Sequence, residues 1–135
     1  MQIVLIVLIA IHVVPGVFWA GTTFVLARSG GAVAEQLAYP QIGAASVSML
    51  AGLILWGLLH RGGFGTFEQV LALGVVCAIA AAGVQSARGL PALRRLRAAT
   101  GSEAANLRTQ IAQAQRIAAG LLTIAVFCMV AARYF

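Results

Sequence analysis

Four stretches of this 135-residue chain are long and apolar enough to cross a lipid bilayer, and they leave little else to fold. They run from Ile3 to Ala27, Gln41 to His60, Thr66 to Ser86 and Ile117 to Ala132. A hydrocarbon core of about 30 Å takes about 20 helical residues to span. In lipid the backbone must satisfy its own N–H and C=O groups, which a helix does within one segment. With 61% of residues apolar and only 9% charged, the expected fold is all-α. Residues 1–135 form one integral membrane domain, a four-transmembrane-helix bundle with spans at about 3–27, 41–60, 66–86 and 117–132. The start, Met1-Gln2-Ile3, lacks the positive n-region of a secretory signal, so the first run reads as a retained span.

Charge sets the expected topology. All nine basic residues are arginine, the three acids are Glu35, Glu68 and Glu103, and the net charge is +6. In so apolar a chain these arginines orient the spans and meet anionic headgroups; nucleic acid is not the expected partner. Arg88, Arg94, Arg95, Arg97 and Arg108 crowd the third connection, with Arg116 just before the last run. The positive-inside rule then makes this connection and the Arg28 loop cytoplasmic, and both termini face the outer side. The expected location is a bacterial inner membrane. Cys77 and Cys128 fall within apolar runs without CxxC spacing and read as small packing residues.

Local signals fill in the connections. Ser29 to Tyr39 reads as a loop, with Pro40 in the first turn of the second helix. That helix is rich in small residues, including Gly43, Ser48 and Gly52, which allow close packing in lipid. Arg61-Gly62-Gly63-Phe64-Gly65 reads as a tight turn; without Lys or Walker spacing it is not a phosphate loop. Thr100-Gly101-Ser102-Glu103 has capping-box spacing. Leu107, Ile111, Ala114 and Ala118 recur beyond it at helical spacing, so the fourth helix is expected to begin as an amphipathic lead-in before the bilayer.

His12 is the only ionisable side chain within the first run. An imidazole in hydrocarbon is costly unless its nitrogens are satisfied, so it pairs with a neighbouring helix or binds something. Haem iron is the leading candidate, since neutral imidazole is a common axial ligand. His12, Gly16, Trp19 and Thr23 fall on one helix face at i, i+4, i+7 and i+11. Gly16 removes a side chain where a flat macrocycle would lie, Pro15 can bend the helix, and Trp19 can pack on a porphyrin edge. His60 is the candidate second ligand, but His12 lies about 13 Å into its span, whereas His60 ends its own. Met49 and Cys77 are alternative sulfur ligands. The competing reading of His12 is a buried imidazole donating to a carbonyl, Ser or Thr of a neighbouring span. Copper transport lacks a methionine stripe or a His/Cys cluster, and Glu68 alone is no proton path.

The pattern His-x6-Trp-x-Gly at His12, Trp19 and Gly21, with the closing Cys128-Met129-Val130-Ala131-Ala132-Arg133-Tyr134-Phe135, resembles CopD-like (copper-resistance D) small four-helix membrane proteins. The resemblance implies a bundle whose first-helix histidine, here His12, serves a metal or haem. The chain is also broadly similar to HemJ-type haem-binding membrane proteins, which carry a functionally important lysine; this chain has none.

The expected function is therefore a small membrane protein binding haem b through His12, with His60, Gly16 and Trp19 at the site, for electron transfer or as a subunit of a respiratory or photosynthetic complex. Two alternatives stand beside it. One is a cofactor-free structural or assembly subunit, with membrane-protein partners or as a homo-oligomer. The other is a metal (copper) transport component. Three scattered Glu, no Asp and two His form no acid–base or nucleophile constellation, so catalysis by the chain alone is not expected.

Overall fold

The computed structural model describes residues 1–60 and 62–135; Arg61, at the head of the expected glycine turn, lies outside them. Four long helices account for most of the chain: α1 (Gln2–Arg28), α2 (Ala34–Leu59), α3 (Thr66–Leu96) and α4 (Gly101–Ala132). Each is long and apolar enough to cross a membrane. α1 runs antiparallel to α2, since His12 meets Ser48 and Thr23 meets Gln41, and α3 runs antiparallel to α4, since Gln85 meets Gln115 and Gly74 faces Ala125 and Cys128. α4 packs against both α3 and α1, while α2 packs chiefly against α1.

The helices reach further than the apolar runs. α2 begins at Ala34, so the connection shrinks to Ser29–Val33 and Pro40 sits inside the helix, not in its first turn. Exposure explains the tolerance: Pro40 lies on the surface near the helix start, where the backbone carbonyl it leaves free can find a polar partner. α3 continues as a helix through a π turn at Gln85–Gly89 to Leu96. Its buried residues Cys77, Ala81, Gln85 and Gly89 recur every four positions. At 100° per residue they would drift by about 120°, and the wider π turn absorbs part of that drift.

Toward the basic end, Leu93 and Leu96 of α3 and Leu107 and Ile111 of α4 form a core with Leu26, Ala34 and Ala38. The lead-in of α4 is thus a packed element; its apolar stripe is buried against α3 and the ends of α1 and α2. Thr100 is the N-cap residue, but its side chain makes no capping bond. The cap forms instead on α3, where Gly65 N–H donates to Glu68 Oε2 at 2.8 Å.

One connection admits only glycine. Gly31 has φ +82°, and a Cβ there would lie 2.7 Å from the backbone oxygen of Arg108. Gly31→Ala is expected to lower stability by about 2 kcal/mol or more, from the left-handed backbone and the clash together. Gly30, at φ +62° with open space, supplies the control: Gly30→Ala should cost about 1 kcal/mol. Thermal unfolding of both variants in detergent checks the difference.

α1 is the least covered of the helices. In the most apolar window of α1 only 6% of residues are buried, against 39% in α4. Val4, Val7, Ile11, Val14 and Phe18 all point away from the bundle.

Candidate functional site

The four residues of the α1 face all turn toward neighbouring helices. His12 is half-buried between α1 and α2, where its Nδ1–H donates to the Ser48 backbone oxygen at 2.8 Å. Because a carbonyl only accepts, this bond fixes the neutral ring in the Nδ1–H tautomer and leaves the Nε2 lone pair as the acceptor. Ser48 Oγ–H donates in return to the His12 backbone oxygen at 2.8 Å. Two residues that are 36 positions apart are thereby locked in a reciprocal pair.

Small residues make the approach possible. A Cβ on Gly52 would lie 2.8 Å from His12 Cε1 and 2.9 Å from Nδ1, and one on Gly16 would lie 3.0 Å from Ser48 Oγ. Gly16 therefore admits α2 to this part of α1; the space expected for a macrocycle edge holds Ser48.

Trp19 is buried, and its Nε1–H donates to Gln85 Oε1 at 2.8 Å. This bond opens a network to which every helix contributes. Gln85 Nε2 donates to Thr23 Oγ1 at 3.0 Å and to Gln115 Oε1 at 2.9 Å. Gln41 Nε2 donates to Thr23 Oγ1 at 2.9 Å, and Gln115 Nε2 to Gln41 Oε1 at 3.0 Å. Thr23 Oγ1–H itself donates to the Trp19 backbone oxygen. Gln41, Gln85 and Gln115 are all buried inside the bundle, where each unsatisfied polar group is expensive, and they persist there by satisfying one another. A cavity of about 10 Å³ beside Gln41, Gln85 and Gln115 has room for one water.

Sequence reading missed this network because Gln41 and Gln85 looked like markers of span ends. No local spacing marks their shared level: Thr23, Gln41, Gln85 and Gln115 stand at quite different distances from the basic ends of their helices, and only packing brings them together.

His60 lies elsewhere. It caps α2, stacked between Trp56 and Phe67 at ring-centroid distances of 4.9 and 5.3 Å. Its Nδ1 is buried and has no hydrogen-bond partner among the described residues. His12 contacts α2 at Ser48 and Gly52, which stand two to three turns before His60, or roughly 12 Å and more along the helix. The structure does not bring the two histidines together.

Set against haem, the chain fits in part. His12 has the bond pattern of an oriented axial ligand, one ring nitrogen tied to a carbonyl and the other left as a lone pair. The bundle interior beside Trp19 is filled by the glutamine network, so a macrocycle on His12 has its room on the lipid-facing side of α1 and α2. Among the described residues no three His, Cys, Asp or Glu side chains group to hold a metal ion.

The fold defines the class: an all-α protein of four membrane-length helices tied at their basic half by a buried amide network. The chain matches no family model, no curated protein and no solved structure.

Proposed function

We propose that this chain is a subunit of a membrane complex and that His12 Nε2 supplies one axial ligand to a b-type haem at the surface of the α1–α2 pair. The carrying observation is the Nδ1–H bond to the Ser48 carbonyl, returned by Ser48 Oγ–H. A carbonyl on the far nitrogen sets tautomer and ring angle and raises the basicity of the ligating nitrogen. The resemblance of His12, Trp19 and Gly21 to the first helix of CopD-like proteins supports the same residue. Haem, when bound, supplies one-electron chemistry; the chain's own part is to hold and aim His12, while Trp19 braces α1 through Gln85. With His60 two to three turns away, the reading takes the second ligand and the remaining walls from a partner or a second copy. The exposed outer half of α1 leaves room for one. The distribution of arginine supports a bacterial inner membrane with the basic end in the cytoplasm.

The test is to purify the protein in mild detergent from a haem-replete host and record oxidised and dithionite-reduced spectra. A Soret band with sharp reduced α and β bands is expected, and His12→Ala should remove it, while His60→Ala should leave it in place. A folded, colourless protein, or a spectrum indifferent to His12→Ala, refutes the reading.

A second reading is a cofactor-free packing subunit, favoured by the mutual satisfaction of His12 and Ser48. It expects a colourless protein that co-purifies with membrane partners. Copper transport, the third reading, would show as metal flux that depends on His12.

A further inference from the structure

At the basic end a cleft of about 380 Å³ opens between the last turns of α3 and the first half of α4. Arg88, Pro91, Ala92 and Arg95 line it from α3 at i, i+3, i+4 and i+7, and Gln110, Gln113 and Ala114 line it from α4 at i, i+3 and i+4. Each set is one face of its helix. The cleft therefore lies between two facing stripes, with guanidinium groups on one side and carboxamides on the other.

Arg97 stacks over the Tyr39 ring at 5.4 Å, and Arg116 donates from Nε to the Ala27 backbone oxygen at 3.3 Å. Arg28, Arg88, Arg94, Arg95 and Arg108 make no side-chain hydrogen bond, ion pair or ring stack among the described residues, and of these five only Arg88 and Arg95 line the cleft. No carboxylate lines the cleft or pairs with its arginines among the described residues: Glu35 begins α2, Glu68 begins α3 at the opposite end, and Glu103 shares the face of Gln110 but stands two turns, about 10 Å, before it. Two like charges on one face, with donors opposite and no acid between them, make a field that an anion would neutralise.

Depth selects the anion. The 19 residues of α3 from Thr66 to Val84 rise about 28 Å, enough to fill the hydrocarbon core. Arg88 then stands about 6 Å beyond it, in the headgroup layer, and Arg95 about 16 Å beyond it, on the aqueous side of that layer, so the cleft runs outward from the headgroups. Pro91 and Ala92 between the arginines give an uncharged floor that leaves room for a glycerol phosphate. We propose that this cleft binds a phosphate ester, the headgroup of an anionic phospholipid, with Arg88 and Arg95 as charged donors and Gln110 and Gln113 as amide donors. The site is independent of haem: it is at the other end of α3 from His60 and on helices that do not carry His12.

Native mass spectrometry of the full chain released from non-ionic detergent tests the proposal, with phosphatidylglycerol and phosphatidylcholine of matched acyl chains as probes. Phosphatidylglycerol should be retained in preference, and the double variant Arg88→Gln/Arg95→Gln should lower its apparent affinity about tenfold or more. Arg133→Gln, which removes a charge at the opposite end, should leave retention unchanged, and the double Lys variant should restore part of it. Gln110→Ala/Gln113→Ala alters only exposed positions with a good helix former, and it should weaken retention even if the arginine variant fails to fold. If millimolar inorganic phosphate displaces the lipid from the wild-type chain, the site stands and its natural ligand is a soluble phosphate. Equal retention of both lipids, or retention indifferent to the arginine and glutamine variants, overturns the proposal.

Discussion

Gln85→Leu is expected to destabilise the folded protein by about 2–3 kcal/mol, although leucine fills much of the same volume and suits a membrane helix better. An ordinary interhelical hydrogen bond in a membrane contributes only about 0.6 kcal/mol on average, because the unfolded chain in lipid also finds partners. Gln85 differs in what its loss strands. Trp19 is 3% exposed, and its Nε1–H has Gln85 Oε1 as its acceptor; without it an indole donor is left in an apolar core. Thr23 Oγ1 and Gln115 Oε1 each retain a donor from Gln41, so the damage concentrates on Trp19.

That asymmetry makes the effect separable. If the penalty is the stranded indole, Trp19→Phe in the Gln85→Leu background should cost less than it does alone, with a coupling of about 1 kcal/mol or more. Reversible unfolding in mixed detergent–SDS micelles, followed by far-UV circular dichroism, gives all four corners of the cycle. Strict additivity would mean that the bond is incidental and that the bundle rests on its apolar contacts.

The four apolar runs were legible because lipid allows few alternatives: a chain that cannot leave its backbone unpaired must be helical wherever it is apolar for about 20 residues. What escaped were features decided by contact across the chain. Residues 87–96 read as a basic connection, yet Leu93 and Leu96 continue α3 because Leu107 and Ile111 of α4 cover them. Gln41 and Gln85 read as boundary residues since one polar group at the end of a run signals water; only the facing helix reveals that the partner is another amide. The face carrying His12, Gly16, Trp19 and Thr23 was visible from helical spacing, while Ser48, 36 residues from His12, had no local signal beyond its place in a small-residue stripe. The π turn at Gln85–Gly89 was hidden for the same reason: it adjusts the phase of α3 to a partner whose position sequence does not give.

Gly52→Ala is expected to separate the two readings of His12. The added methyl would lie 2.8 Å from Cε1 and 2.9 Å from Nδ1, closer than van der Waals contact allows. The obstacle is the free end of a side chain, so the imidazole can swing away at a cost of about 1 kcal/mol, near the lower end of overpacking penalties. In swinging it gives up the Ser48 carbonyl and with it the fixed tautomer and ring angle. For a metal-bearing histidine, loss of that outer partner typically weakens binding by about 10- to 100-fold. The haem reading therefore expects Gly52→Ala to bleach most of the Soret absorbance per protein at limiting haem while melting changes little. Gly43→Ala, on the same helix with open space around its Cβ position, should change neither. If His12 serves only to tie α1 to α2, the order reverses: Gly52→Ala lowers stability by an amount that His12→Ala already accounts for, and no spectrum depends on either residue. Measured side by side, the reduced-minus-oxidised spectrum and the unfolding midpoint of these three variants decide between an aimed ligand and a helix clasp.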